Sequence, residues 1–464
     1  MTSEKKEMEK QVPSFTGKKT LVVGLGISGF WAAQWLKGNG ADVTLSDIRP
    51  EAELDQGYIS RLRELNVDIE AGGHKKETFL NTDAIIISPG VPADMEVIRS
   101  AKEKGIPLMG EMELAGRLID TPVIAVTGTN GKSTVTTFLG SLIQNTGLKV
   151  FVGGNIGMPL IAYAARKEKA DYAVVEVSSF QLDTSRTFSP FVSIILNITP
   201  DHLDRYKDYE SYVQSKLGIF KNQGAGEYAV LNDEDMRISL ARPQSGVSVL
   251  SYGLRKKNGR HAYIEDNRIC ACLDDGKSFW FSLESFRLPG KHNIENLMAG
   301  VLAGLIIGID NAVIQETINS FKGLPDRLEH VCEYNGIVFY NDSKATNVDA
   351  AAKDLASLDR PLILIAGGRD KGTDYSPLTD AARGKVKKAV FIGEAKEVLA
   401  ASFDGVIPFS MAGDMFEAVS IAGLSATRGD AVLLAPACSS LDMFTDFSHR
   451  GRVFKEAVMR IAHG

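Results

Sequence analysis

The most informative segment of this chain is Pro122-Val-Ile-Ala-Val126-Thr-Gly128-Thr-Asn-Gly131-Lys132-Ser133-Thr134. An apolar run of strand length leads into a glycine-rich turn, and a helical pattern follows directly. Such a strand, loop and helix presents backbone N–H groups and the positive end of the helix dipole to phosphate oxygens. The sequence therefore predicts a phosphate-binding loop on a parallel α/β sheet.

The side chains of this loop suggest a nucleotide with a metal ion. Lys132 is placed to reach the β- and γ-phosphates of ATP, and either Ser133 or Thr134 can offer a hydroxyl to Mg²⁺. The spacing departs from G-x-x-x-x-G-K-[ST], because Val126 stands where the first glycine would be. A routine NTPase match is thereby excluded, and a plain glycine turn before a helix is the alternative.

A second glycine turn lies near the N-terminus. Gly24-Leu-Gly26-Ile-Ser-Gly29 follows an apolar run, and Asp47 ends the next strand candidate. This is the form of a dinucleotide-binding fingerprint, in which a phosphate or diphosphate binds the turn and the acid accepts hydrogen bonds. A nicotinamide-dependent dehydrogenase would fit this motif but would leave Lys132 without a role. A tight turn that only packs helix on strand is the other alternative.

Short apolar runs alternate with helical patterns along the whole chain, which is typical of parallel α/β sheets. We predict an α/β protein of three domains: a Rossmann-like domain at 1–110, a central P-loop ATPase-like domain at 111–321, and a second Rossmann-like domain at 322–464. The segment from about Ser248 to Leu288 alternates in short pieces with polar turns. It is predicted to form an antiparallel ribbon attached to the central parallel sheet.

Polar residues follow several of the predicted strands, where ligands collect in α/β sheets. Glu176 closes one strand and His202 follows another, and such groups suit Mg²⁺ or a second metal. His202 could equally cap its own loop. The loops Asp342–Asn347 and Gly367–Gly372 are polar and cationic, so carboxylate or phosphate ligands are expected there, with solvated loops as the alternative.

Composition excludes several classes of function. The chain has 464 residues and a net charge of -6, which argues against a nucleic-acid partner. Neither a signal peptide nor an apolar run of about 20 residues is found, so we expect no membrane partner and a cytoplasmic location. Four scattered cysteines predict no disulfide framework, and Cys270 and Cys272 have no second Cys/His pair at zinc-ligand spacing.

Eight motifs in order resemble those of the Mur ligase family over nearly the whole chain after about residue 15. They are Gly24–Gly29, Gly128–Thr134, Gly154-Asn-Ile-Gly157, Glu176-Val-Ser-Ser-Phe-Gln-Leu182, Asp201-His-Leu-Asp204, Gly323-Leu-Pro-Asp-Arg327, Asn341–Asn347 and Pro436-Ala-Cys-Ser-Ser-Leu-Asp442. The resemblance implies an ATP-dependent ligase that adds D-glutamate to UDP-N-acetylmuramoyl-L-alanine through an acyl-phosphate, in peptidoglycan precursor synthesis. We also expect the chain to be a monomer. A sibling ligase for another amino acid, folylpolyglutamate synthetase and a non-catalytic nucleotide-binding regulator are the competing interpretations.

The resemblance also implies roles for matching positions. Lys132, Glu176, His202, Lys216 and Lys344 would be catalytic, and Ser133, Thr134, Glu176, His202 and a carbamylated Lys216 would hold two Mg²⁺ ions. ATP would contact Thr127, Gly128, Thr129, Asn130, Gly131, Lys132, Ser133, Thr134, Asn293, Asn296, Arg327 and Asp342. The UDP-linked substrate would contact Ile27, Ser28, Asp47, Ile48, Ser88, Pro89, Gly90, Asn155 and Ser178. D-Glutamate would contact Lys344, Thr346, Lys371, Ser440, Leu441 and Phe447.

Overall fold

A computed structural model describes residues 13–463 apart from 167, 202–204, 274–275 and 371. The chain forms two compact units. The first runs to Glu284 and includes Ile294–Ile318, and the second consists of Ser285–Asn293 and the chain from Asn319 onward. Three sheets are present, of five, nine and six strands. The three-domain α/β fold class predicted from the sequence is thus confirmed.

The first sheet is entirely parallel, in the order β3-β2-β1-β4-β5. Helices connect most of its strands, as parallel neighbours require. The strands are β1 (Lys19–Val23), β2 (Asp42–Asp47), β3 (Asp68–Ala71), β4 (Ala84–Ile87) and β5 (Leu108–Gly110). The helices are α1 (Ile27–Gly38), α2 (Gln56–Glu64), α3 (Lys76–Leu80) and α4 (Glu96–Glu103), with a 3₁₀ turn at Glu51–Glu53.

The second sheet has the order β14-β13-β12-β11-β10-β9-β6-β8-β7. Its strands are β6 (Val123–Thr127), β7 (Val150–Gly154), β8 (Tyr172–Glu176), β9 (Val192–Ile195), β10 (Tyr228–Asn232), β11 (Ser248–Tyr252), β12 (Ala262–Glu265), β13 (Arg268–Cys272) and β14 (Ser278–Ser282). The helices in this part of the chain are α5 (Glu111–Leu118), α6 (Lys132–Asn145), α7 (Leu160–Ala164), α8 (Ser179–Asp183), α9 (Tyr209–Leu217), α10 (Met236–Ser239), α11 (Lys291–Ile306) and α12 (Asn311–Ser320). A 3₁₀ turn covers Gly218–Phe220.

The antiparallel ribbon is shorter than predicted. β11 was expected to belong to it, but it pairs in parallel with β10, from Tyr228 opposite Ser248 to Asn232 opposite Tyr252. In this sheet β12 pairs antiparallel with β13, and β13 with β14, and the three strands extend the same sheet. The prediction was wrong here because β11 buries only one face, so its side chains alternate as in an antiparallel strand.

One hydrophobic cluster connects the first two sheets within the first unit. It runs from Phe15 and Leu45 to Leu160 and Phe220. Strand β6 is buried at every position, which explains its uninterrupted apolar sequence. The predicted boundary at residue 110 therefore lies inside a continuous core, and the exact domain limits stay a prediction.

The third sheet, in the second unit, has the order β15-β16-β20-β17-β18-β19. It is parallel except for β15, which pairs antiparallel with β16. The strands are β15 (Glu329–Tyr334), β16 (Ile337–Asn341), β17 (Leu362–Gly367), β18 (Val386–Ile392), β19 (Phe409–Met411) and β20 (Ala431–Leu434). The helices are α13 (Val348–Ser357), α14 (Ser376–Ala382), α15 (Lys396–Phe403), α16 (Met415–Ser425) and α17 (Phe447–His463).

In the part of the chain that the structure describes, none of the helices combines the length and the apolar character needed to cross a bilayer.

Candidate active site

The glycine loop lies between β6 and α6, as predicted. Gly128 and Gly131 both have positive φ, 151° and 84°. A Cβ on Gly131 would approach the Asn296 side-chain oxygen to 2.3 Å, so glycine is required there. The loop and Asn296, both predicted to bind ATP, are therefore in direct contact.

Asn197, which the sequence did not single out, holds the loop in place. Its backbone oxygen accepts from the Thr129 N–H at 2.8 Å, and its Oδ1 accepts from the Asn130 N–H at 2.8 Å. Thr127 donates its hydroxyl to the Val177 carbonyl at 2.8 Å. Two loop N–H groups are thus committed to the protein, which leaves the first turn of α6 as the expected phosphate contact.

Two lysines meet at the carbonyl oxygen of Gly128. Lys132 Nζ donates to it at 3.0 Å and to the Thr129 carbonyl at 2.9 Å. Lys216 Nζ, in α9, donates to the same Gly128 oxygen at 2.8 Å and lies 4.8 Å from the centre of the Tyr212 ring. Lys216 is only 2% exposed. Burial, followed by the charge of Lys132, lowers the pKa of Lys216 to about 7.

A carboxylate faces the first turn of α6. Ser133 Oγ donates to Glu176 Oε2 at 2.7 Å, and Asn155 Nδ2 donates to Glu176 Oε1 at 2.9 Å. Glu176 ends β8 and is 2% exposed. A buried carboxylate beside a hydroxyl, at the edge of the phosphate loop, is a set of hard oxygens that fits Mg²⁺. Thr134 is the next residue of the same helical turn.

Ser178 and Asn293 are two further residues that were predicted to bind ligands in the central domain. Ser178 caps α8, where its hydroxyl accepts from the Gln181 N–H in a capping box. Asn293 donates from its amide to the Pro289 carbonyl at 2.7 Å. His202 and Lys371 lie outside the described residues. Within the described ranges, no three His, Cys, Asp or Glu side chains are arranged to hold a metal ion.

Asp47, which was predicted to contact the UDP-linked substrate, lies at the carboxyl end of the first sheet. Its carboxylate accepts from the Leu25 N–H at 2.7 Å and forms an ion pair with Arg49 at 3.0 Å. Burial acts to raise the pKa of Asp47, but hydrogen bonds from Arg49 and Leu25 leave it below its usual value. Arg49, two residues after the strand, is a candidate that the sequence analysis missed.

The remaining predicted residues of this site border the glycine turn. A Cβ on Gly29 would stand 1.9 Å from the Gly24 carbonyl oxygen, so the third glycine of the motif is needed for packing. Ser88 Oγ donates to the same carbonyl at 2.9 Å. Ile27 begins α1 with Ser28 beside it, the exposed Ile48 follows Asp47, and Pro89 and Gly90 follow Ser88.

The residues predicted to bind D-glutamate that the structure describes lie in the second unit. Lys344 Nζ lies 4.7 Å from the centre of the Phe447 ring, within cation–π distance. Thr346 donates its N–H to the Lys344 carbonyl at 2.7 Å. Ser440 is buried, whereas Leu441 is exposed. The structure thus places Lys344 beside Phe447, and the role of these residues in binding D-glutamate stays a prediction.

Arg450, on α17, is a buried residue that the sequence analysis missed. Its guanidinium donates to the hydroxyl and the carbonyl of Ser343, at 3.0 and 2.9 Å, and to the Cys438 carbonyl at 3.1 Å. These acceptors are on the loop that follows β16 and the loop that follows β20. Arg450 therefore fixes the two loops that contain Lys344 and Ser440 relative to each other.

The cysteine pair on the ribbon forms no metal site with described His, Cys, Asp or Glu residues. Cys270 and Cys272 Sγ atoms are 3.9 Å apart, and Cys272 contacts Ser278 Oγ at 3.1 Å. All four cysteines are free thiols.

The fold and the phosphate loop together define a three-domain α/β nucleotide-binding enzyme. Residues 126–304 match the family described as the Mur ligase middle domain, 18–110 match the Mur ligase MurD-like N-terminal domain, and 326–438 match the Mur ligase glutamate ligase domain. The chain belongs to the Mur ligase family.

Relatives of known name cover almost the whole chain. A UDP-N-acetylmuramoylalanine–D-glutamate ligase of Desulfosudis oleivorans is 44% identical over 96% of this chain and 97% of its own. One of the same name from Geotalea daltonii is 42% identical over 97% and 98%. Among solved structures, the UDP-N-acetylmuramate–alanine ligase of Thermotoga maritima is 19% identical, with a TM-score of 0.53 over 96% of this chain and 100% of its own, which supports the fold.

Proposed function

We propose that this chain is an ATP-dependent ligase that adds D-glutamate to UDP-N-acetylmuramoyl-L-alanine in peptidoglycan precursor synthesis. The observation that supports this most is the identity of 40–44% with relatives of that name, over nearly the full length. The geometry at Lys132, Ser133 and Glu176 fits the phosphoryl transfer that such a ligase needs. The proposal includes a monomer acting in the cytoplasm.

The reaction has two chemical steps. An oxygen of the acceptor's terminal carboxylate forms a bond to the γ-phosphorus of ATP while the bond to the β-phosphate oxygen breaks, which gives an acyl-phosphate and ADP. The D-glutamate amine then bonds to the acyl carbon, loses a proton, and inorganic phosphate leaves. Both steps move negative charge, so positioned cations and donors supply much of the rate.

Lys132 is proposed to neutralise the transferring phosphate. In this structure its ammonium group satisfies the carbonyl oxygens of Gly128 and Thr129, inside the loop itself. These contacts hold the charge at the N-terminus of α6, where the phosphates are expected. A nucleotide would exchange one or both carbonyl contacts for phosphate oxygens, which are stronger partners for a cation.

Mg²⁺ is proposed to bind at Ser133 and Glu176, with Thr134 next to them. When bound, the ion supplies positive charge to the phosphate oxygens. Asn155 orients Glu176 through its other carboxylate oxygen, so one oxygen faces Ser133 while the other is fixed. His202 and Lys216 remain proposed for a second ion.

Lys216 is proposed to become carbamylated. A lysine carbamate forms only from the uncharged amine, and a pKa of about 7 leaves a large part of Lys216 uncharged near neutral pH. The modified side chain would bear oxygens in place of a cation, which removes the repulsion with Lys132. The same change would turn an unsuitable metal neighbour into a suitable one.

Three further sets of residues are proposed to bind the nucleotide, the uridine diphosphate and D-glutamate. Arg327 and Asp342 are proposed for the nucleotide with Asn293 and Asn296, and Asp47 with its neighbours for the uridine diphosphate. Lys344, Thr346, Ser440, Leu441 and Phe447, together with Lys371, are proposed for D-glutamate.

Phosphate release tests the proposal directly. Purified protein is given ATP, Mg²⁺ and UDP-N-acetylmuramoyl-L-alanine, and phosphate is measured with D-glutamate, L-glutamate, L-lysine, meso-diaminopimelate or no amino acid. We expect release that depends on D-glutamate. Dependence on another amino acid would move the chain to a sibling ligase. If hydroxylamine offered as the amine traps no hydroxamate, the acyl-phosphate route is excluded.

A further inference from the structure

The residues predicted to contact the UDP-linked substrate include no basic side chain, although that substrate bears an anionic diphosphate. Their one acidic member, Asp47, is paired with Arg49 at 3.0 Å, so the charge of Arg49 is already balanced. The N-terminus of α1 adds only about half an elementary positive charge. A further cation is therefore expected at the edge of this site.

Arg205 is a cation in that place. It is exposed, it lies shortly before α9, and its Nη1 donates to the Gly90 carbonyl at 3.4 Å. Gly90 belongs to the loop after β4, and Ser88 of that loop donates its hydroxyl to the Gly24 carbonyl in the glycine turn. A hydrogen bond of 3.4 Å is long, so a phosphate oxygen can readily replace it.

An aromatic ring holds the guanidinium at this loop. Its central carbon lies 4.7 Å from the centre of the Phe180 ring, within cation–π distance. The Phe180 ring stacks on Tyr206, with centroids 6.0 Å apart and an interplanar angle of 10°. The Tyr206 hydroxyl donates to Asp183 Oδ2 at 2.7 Å. Phe180 is the aromatic member of the Glu176–Leu182 motif, to which the sequence analysis assigned no role.

The segment that follows α8 is fastened to the end of the first sheet. The Gly110 N–H, in β5, donates to the Thr184 carbonyl at 3.2 Å. The buried carboxylate of Glu113 accepts from the Arg186 and Thr187 N–H groups, at 2.9 and 3.0 Å. The helix that carries the aromatic ring is therefore held in a fixed position relative to the first sheet.

The charge of Arg205 is available to a ligand. Among the described residues it forms no ion pair, whereas Arg49 and Arg117 each pair with a buried carboxylate. A guanidinium has a planar fork of donors that suits two oxygens of a phosphate group. An exposed arginine that is held by a ring, and not by an acid, can therefore offer this fork to an anion.

We propose that Arg205, positioned by the Phe180 ring, binds the diphosphate of the UDP-linked acceptor. The loop at Gly90 borders the glycine turn, where a diphosphate is expected at the N-terminus of α1. The acceptor carboxylate must instead lie beside Lys132, where phosphate is transferred. The inference rests on the proposed function, because that function supplies the UDP-linked acceptor.

Three variants separate the charge, the fork and the ring. Arg205→Ala removes the charge and the fork, and Arg205→Lys keeps the charge alone. Phe180→Leu removes the ring beneath an intact arginine. Arg242→Ala is the matched control, because the Arg242 guanidinium is exposed and donates to the Ser239 and Ala241 carbonyls of its own turn.

The experiment measures dissociation constants by calorimetry, at constant pH and ionic strength, for UDP-N-acetylmuramoyl-L-alanine, UDP-N-acetylglucosamine, UDP and ATP. Arg205→Ala should weaken binding of the three UDP ligands by a similar factor, about tenfold or more, because they share the diphosphate. Arg205→Lys should lose a few-fold. ATP should bind every variant as it binds wild type, and Arg242→Ala should follow wild type throughout.

The positioning by Phe180 is tested by a double variant. Phe180→Leu alone should weaken the UDP ligands a few-fold. In the Arg205→Ala background the same change should add little, because the guanidinium that the ring positions is already absent. A full additional loss in the double variant would show that Phe180 acts independently of Arg205. Thermal unfolding of each variant detects damage to the fold, and Arg205→Ala should unfold like wild type because its side chain is exposed.

Two results overturn the diphosphate contact. One is unchanged affinity of Arg205→Ala for all three UDP ligands. The other is a loss confined to UDP-N-acetylmuramoyl-L-alanine, which would place Arg205 at the acceptor's carboxylate or sugar. If wild type binds the UDP ligands but no amino acid stimulates phosphate release, the proposed function fails, and the loss of UDP binding in Arg205→Ala still decides the role of Arg205.

Discussion

The ammonium groups of Lys132 and Lys216 both donate to one carbonyl oxygen, that of Gly128, at 3.0 and 2.8 Å. Two like charges at one acceptor repel, and Lys216 is the buried member of the pair. Burial, and then the charge of Lys132, favour the uncharged amine of Lys216. This arrangement supports the proposal that Lys132 serves as the cation for phosphate and that Lys216 is carbamylated.

A first prediction concerns the carbamate. Lys216→Ala should lose at least about 100-fold in phosphate release, and millimolar formate or acetate should restore part of it because their oxygens replace those of the carbamate. The measurement is D-glutamate-dependent phosphate release with and without added carboxylate. Lys132→Ala serves as the control, since a carboxylate cannot replace a cation. Equal stimulation of both variants, or none in Lys216→Ala, would contradict the carbamate.

A second prediction concerns the phosphate loop. Lys132→Ala should reduce ADP formation by about 100-fold or more, because no other side chain of the loop supplies a cation to the transferring phosphate. Thermal unfolding should be close to wild type, since the lysine is only partly buried. Lys149→Ala, at an exposed position just before β7, should retain activity. Near-normal turnover in Lys132→Ala would remove the lysine from the mechanism.

Local sequence was enough to predict the phosphate loop because strand, turn and helix are contiguous there. It also placed Glu176 correctly at the end of β8. Asn197 and Arg450 were missed because their partners come from distant parts of the chain. Arg49 was missed although its ion-pair partner, Asp47, stands only two residues before it.

The direction of β11 could not be predicted from the sequence. Its alternating side chains show only that one face is less buried, and a half-exposed parallel strand gives the same pattern as an antiparallel hairpin. The short strands β3, β5 and β19 lack apolar runs long enough to be found. Polar β15 was missed because its sequence, Glu-His-Val-Cys-Glu-Tyr, buries no position fully.

A third prediction concerns the amino-acid pocket. Lys344→Ala should raise the KM for D-glutamate by about tenfold or more, since a charge-assisted contact to a carboxylate is lost. Formation of the acyl-phosphate, measured by trapping with hydroxylamine, should change little. Lys353→Ala, at the exposed Lys353–Asp349 pair, is the matched control. A variant that loses trapping and D-glutamate dependence together would place Lys344 in the first chemical step instead.

Phe447→Leu gives a fourth prediction on the same pocket. The ring lies under the Lys344 ammonium at 4.7 Å, and removing it takes away a cation–π contact of about 1 kcal/mol. We expect a rise of a few-fold in the KM for D-glutamate, with an unchanged KM for ATP. Both KM values are measured by steady-state kinetics in which each substrate is varied in turn. An equal rise in both KM values would indicate a general disturbance of α17 rather than a contact with Lys344.

The last prediction is a pH dependence of stability. Glu111, at the start of α5, is fully buried, and its Oε1 accepts from the Ile161 N–H at 2.7 Å while Oε2 has no partner. Burial raises its pKa to about 7, so the folded protein holds a proton that the unfolded chain releases near pH 4. The contribution of this proton to the free energy of unfolding is therefore fully present below about pH 4 and is lost as the pH rises through about 7.

The substitution Glu111→Gln removes this pH-dependent loss of stability. Between pH 5 and about 8, wild type should lose up to about 3 kcal/mol more than the variant in the free energy of urea unfolding. The exposed Glu103→Gln should follow wild type, and parallel curves for wild type and Glu111→Gln would show that Glu111 is ionised in the folded protein.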